Sequence, residues 1–190
     1  MDDWKQLLLF LALVVLLLLI RQLGKSKGAN TRSAMLMKKY ATITREQFDR
    51  IPEDELVDAV VSRVLARAAE SRRPDPVKTL ADMPHGSTVV YSVWAVCKEM
   101  AASDFPMLMK TATRELVEPA TQALSAIGAA ACAQALEAMW AAHTAGEDID
   151  APQAAFRAAV TAECPLSLCE GYIRDHAADF IDGEAGEEAV

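Results

Sequence analysis

Three histidines, His85, His143 and His176, and a carboxylate within an apolar run, Glu99, are the groups of this chain best suited to proton transfer. None of the histidines sits with a carboxylate or cysteine in a recognisable motif, so each reads as a surface or capping residue. One pairing across the chain stays open: Glu99 with His85 in a small cleft near Phe105-Pro106 would make a hydrolase-like or other enzyme. Glu99 also has a plainer role, capping a neighbouring backbone or pairing with an arginine. Cys97, Cys132, Cys164 and Cys169 form no CxxC, and no histidine stands at a zinc-ligand step from them. GxSxG, HExxH, P-loop and GxGxxG patterns are missing. The residues therefore predict neither cofactor nor metal, and a role without catalysis.

A second kind of chemistry lies in the carboxylates. Residues 1–39 carry seven Lys/Arg against two Asp, a balance of +5. Residues 40–114 are nearly neutral, at −1, and residues 115–190 carry Arg157 and Arg174 against fourteen acidic side chains, −12. So cation-poor a second half repels phosphate, which excludes direct nucleic-acid binding by the domain. It suits the opposite partner, a protein with a basic surface. Glu137, Glu147, Asp148, Asp150, Glu163, Glu170, Asp175 and Asp179 are the candidate contacts. The alternative is an acidic surface that only aids solubility.

These side chains must be positioned by helices, because alanine is abundant, strand alternation is missing and Asn-Gly hairpins do not occur. The predicted fold is all-α, a compact bundle of about six helices over residues 45–182, with an acidic tail at 183–190. Helices are expected at Pro52–Ser71, Ser87–Ala102, Arg114–Ile127, Ala129–His143, Ala151–Ala162 and Pro165–Ile181, with a short turn or helix around Val77–Asp82. In the first, Val57, Val60, Val61 and Val64 share a face while Arg63 and Arg67 point away. In the second, two adjacent apolar stripes predict the centre of the core. Ser103 or Asp104 caps the next helix, Pro106 fits its first turn, and Phe105, Met107, Leu108 and Met109 pack inward. Gly128 is a stop.

The N-terminus differs in kind. Leu7–Ile20 holds no polar side chain, and extending it to Trp4–Leu23 gives about 30 Å of helix, enough to cross a bilayer. The leader is not basic and no Ala-x-Ala site follows, so residues 1–23 read as a transmembrane anchor and not a cleaved signal. Trp4 suits the interface, and Arg21, Lys25, Lys27, Arg32, Lys38 and Lys39 follow the span. That places the domain in the cytoplasm, in keeping with unpaired cysteines. Residues 24–44 read as a basic linker against anionic lipid. A structural, membrane-surface protein acting through this neck is the third functional reading.

Residues from about Ile51 to Ile181 resemble the DNA-mimic protein C-terminal domain family. The likeness runs through "IPEDELVDAVVSRVL", "VYSVWAVCKEM", "LVEPATQALSAIGAAACAQALEAM" and "LCEGYIRDHAADFI". At the family's Glu-Val-x-Asn-Gly-Gly-Phe-x-Gln-Phe-Phe segment, Glu99 and Phe105 match. Ala102-Ser103-Asp104 replaces Asn-Gly-Gly, and Met107-Leu108-Met109 replaces Gln-Phe-Phe. The resemblance implies an acidic helical domain that binds another protein, in some members a transcription regulator toward which it imitates DNA.

Overall fold

A computed structural model describes residues 31–183. Local sequence sets many helix ends. Helix α1 covers 31–39. Thr44 starts α2 (Arg45–Asp49) with a capping box, its hydroxyl accepting the Gln47 N–H while the Gln47 side chain accepts the Thr44 N–H. Asp75 and Asp104 cap α4 (Pro76–Thr79) and α6 (Phe105–Leu108), each with proline in the first turn. The expected joint after Ala102 is thus present. Phe105 and Leu108 point into the core and Met109 is half-buried, but Met107 is exposed.

The longer helices are α3 (Leu56–Ala69), α5 (His85–Ala102), α7 (Val117–Ala126), α8 (Ala130–Ala145), α9 (Asp150–Glu163) and α10 (Pro165–Asp175). The order α3, α5, α7, α8, α9 is also their order in space, each packing on the next, and α10 returns to close on α3 and α5. α5 is central, as its stripes predict: Val89, Val90, Val93, Val96, Cys97 and Met100 are all buried. Phe105, Phe156, Phe180, Leu124, Leu136 and Met139 fill the space between helices and are almost wholly removed from water. Each such side chain stabilises the fold by about 1.5–3 kcal/mol. Gly128 takes φ +86° between α7 and α8, a left-handed turn in which a side chain would be strained.

The C-terminus is fastened to the start of the domain. A 3-10 turn at Ala177–Phe180 follows α10 and lies on the first turn of α5. There the Gly86 N–H donates to Asp179 Oδ2 at 2.8 Å, and a Cβ on Gly86 would come within 2.7 Å of Asp179 and Phe180, so only glycine permits the approach. Beyond it, Asp182 accepts the Ile43 N–H at 2.6 Å and donates its own N–H to the Ile43 carbonyl at 2.8 Å. Its other carboxylate oxygen pairs with Arg63, which also donates to the Phe180 carbonyl at 3.0 Å. Arg174 of α10 donates to the Phe48 and Ile51 carbonyls at 3.1 and 2.7 Å, tying α10 to the end of α2 and the residues after it.

Several expectations change. The described residues hold ten α-helices and four 3-10 turns in place of about six helices, because helices of four or five residues are too short to show a period. Residues 31–39, read as linker, are helical, and Tyr40 and Ile43 enter the core. Arg63 does not point away but is 5% exposed. The last long helix stops at Asp175, not Ile181. Among the described residues no helix is long and apolar enough to cross a membrane. The anchor at 1–23 with Trp4 and Arg21, the linker residues Lys25 and Lys27, and the tail from 184 lie outside the described residues.

Candidate functional site

The proposed proton-transfer pair does not assemble. His85 opens α5 and Glu99 lies near its end, fourteen residues along one helix, or about 21 Å at the α-helical rise. His143 sets its ring edge-on to Phe105, with centroids 5.6 Å apart, and His176 stacks on Tyr172 at 4.1 Å. Glu99 is half-buried, and its backbone carbonyl accepts both the N–H and the hydroxyl of Ser103. Phe105 is a core residue whose N–H donates to the Gln153 side chain at 2.8 Å. Burial pushes the thiols of Cys97, Cys132 and Cys169 up to about 11, 12 and 12, so these three behave as small apolar groups. Among the described residues no His/Cys/Asp/Glu group is arranged to hold a metal ion.

The eight candidate carboxylates separate into two sets. Glu163, at the end of α9, accepts the N–H groups of Ala131 and Cys132 at 2.9 Å each, which caps α8 from across the hairpin. Those two bonds hold its carboxyl below the usual range. Asp179 caps α5 through Gly86 in the same way. Glu170 is half-buried on α10, and burial, then the charges of Glu53 and Asp54, raise its carboxyl. These three are parts of the fold. Asp175 is exposed at the end of α10. Glu137 on α8, Glu147 and Asp148 in the loop after it, and Asp150 at the start of α9 are exposed as well. Asp148 turns one oxygen back to the Asp150 N–H at 3.1 Å and leaves the other outward.

Two further residues join the exposed set. Glu118, in the first turn of α7, and Glu137 line a shallow depression of about 290 Å³ together with Thr121, Gln122 and Trp140. Trp140 is 41% exposed, one of few large apolar side chains so placed. Tryptophan is among the side chains that most often carry binding energy at protein interfaces. A signal for it exists in the sequence, since Trp140 follows Glu137 by three positions on an alanine-rich helix and so shares its face.

Ion pairs among the described residues include Arg32–Asp58, Lys39–Glu55, Arg50–Glu46, Lys78–Asp75 and Arg63–Asp182, and none of these five uses a carboxylate of α7, α8 or α9. The two cations of the second half are directed at carbonyls: Arg174 as described, and Arg157 at Ser103, 3.3 Å away. The field over α7–α9 is set by unpaired negative charge.

No family model, no curated protein and no solved structure matches this chain.

Proposed function

We propose that the chain is a membrane-tethered, acidic helical domain that binds another protein, and that its contact surface is the outer face of α7–α9 around Trp140. The observation that carries this reading is the unpaired set Glu118, Glu137, Glu147, Asp148 and Asp150, beside an exposed tryptophan, in a region whose arginines are both turned to backbone carbonyls. A partner of complementary sign, a basic protein surface of the kind that meets DNA phosphates, gains both charge attraction and a desolvated anchor. This is the function that the likeness to DNA-mimic domains implies, with Trp140 supplying an apolar contact that charge alone lacks. The tether rests on Leu7–Ile20, and the domain then lies on the cytoplasmic side, with the basic neck toward anionic lipid.

The test is capture of partners by the full chain at low and high salt, repeated with Trp140→Ala and with Glu118, Glu137, Glu147, Asp148 and Asp150 neutralised to their amides. The expected result is a partner lost at high salt and lost from both variants; truncating an anchor tryptophan costs about 2 kcal/mol or more. A partner retained by both variants at every salt concentration would sink the proposal. Carbonate extraction of cell membranes checks the tether, and release of the chain into the soluble fraction counts against it.

A further inference from the structure

α5 and α9 run in opposite directions: Arg157 reaches the Ser103 carbonyl beyond the end of α5, while Cys164–Ser167 lie beside Trp94 and Lys98. The two helices are not a packed pair. Between them lies a groove of two adjacent lobes, both lined by Cys97, Ala101 and Val160. One lobe, about 480 Å³, is walled by Trp94, Lys98 and Leu166, and the other, about 380 Å³, by Met100, Phe156 and Arg157. The first is almost purely apolar, and Leu166 on its wall is 39% exposed.

Charge is the second observation. No carboxylate lines either lobe, although the second half of the chain carries fourteen, while each lobe holds one cation. The Lys98 ammonium sits over the Trp94 ring, 4.3 Å from its centroid, with no acidic partner among the described residues. The groove joins an apolar lobe at Lys98 to a more polar one at Arg157, with one positive group in each.

We propose that this groove binds a long-chain fatty acid, its carboxylate at Lys98 and its alkyl chain lying over Cys97, Ala101 and Val160 toward Phe156. The size is that of a small-ligand site. A peptide helix fits worse for two reasons. Its polar groups would find few partners in the larger lobe. The larger lobe offers a single cation, which matches the one negative charge of a fatty acid, whereas a strongly acidic peptide would leave most of its charges unpaired there. This site is separate from the Trp140 surface and does not depend on it.

The test uses the full chain in phosphatidylcholine nanodiscs and a photoreactive palmitate analogue, with labelled peptides located by mass spectrometry. Labels are expected within 94–101 and 156–167. Unlabelled palmitate should compete, and neither lysophosphatidylcholine nor an acidic amphipathic peptide should. Lys98→Glu should reduce labelling about tenfold, the scale of one lost charge contact, while Lys98→Arg retains it. Ala101→Trp, which adds bulk to the lining of both lobes, should abolish it, with circular dichroism verifying that each variant is folded. Labels confined to residues 4–23, labelling insensitive to Lys98→Glu, or competition by the peptide in place of palmitate would each overturn the proposal.

Discussion

The two ends of this bundle use charge in opposite ways. Where α2, α3, α10 and the C-terminal turn meet, the ionic groups that reach inward have internal partners: Arg63 with Asp182 and Phe180, Arg174 with Phe48 and Ile51, Asp179 with Gly86. Around the α8–α9 hairpin, Glu137, Glu147, Asp148 and Asp150 are exposed while Arg157 turns to a backbone carbonyl, and the fold there rests on alanine, leucine and methionine packing. Charge is structural at the first end and available at the second. A residue's sign is therefore a poor guide to its role unless its partners are known.

The comparison is broken most directly at Asp182. Asp182→Ala leaves Arg63 buried without its carboxylate and frees the Ile43 N–H, and is expected to cost about 3–5 kcal/mol in urea unfolding; the double variant Arg63→Met with Asp182→Ala should recover part of that loss. Arg174→Ala strips two carbonyls of a charged donor and should cost about 2 kcal/mol. Both should leave partner capture intact once the protein is folded. By contrast, neutralising Glu118, Glu137, Glu147, Asp148 and Asp150 should move the unfolding free energy by no more than about 0.5 kcal/mol while abolishing capture. A large stability loss there would mean that the hairpin charges also build the fold.

A smaller effect sharpens the same contrast by pH. Glu163 has a lowered carboxyl in the fold, so its stabilisation is complete above the ordinary range, about 4.3, and fades as pH falls through the lowered value. Glu163→Gln should unfold at lower urea than the parent at neutral pH, with the gap closing in acid. Glu170 is raised, so its charge disfavours the fold above that range. Glu170→Gln should unfold at equal or higher urea at neutral pH, and its gap too should close on acidification.

Periodicity and caps made α3, α5 and the Asp104 joint legible, because each depends on residues a few positions apart. What escaped depends on distant neighbours. Arg63 lies four residues before Arg67, which is exposed, and only Asp182 and the Phe180 carbonyl explain its burial. Glu163 and Asp179 read as surface acids, since the helix ends they cap lie 31 or more and 93 positions away. Met107 was expected inside by composition and faces out because α6 is a single turn with room for two inward side chains. The Trp140 depression needs α7 and α8 side by side, which spacing within either helix does not state.

The double hydrogen bond between Ile43 and Asp182 joins residues 139 positions apart. It closes the domain into a ring without a covalent bond, and closing so long a loop is slow to grow more costly with length. The C-terminal end of the described residues thus lies beside the entry to α2. A short linker between the two, with new termini cut at the exposed loop around Glu147, preserves every helix from α2 onward and would present the Trp140 surface beside the new ends. The contact also means that a label near residue 182 reports on the entry to α2, and that distance measurements between the two should stay short in any state where Asp182 holds Ile43.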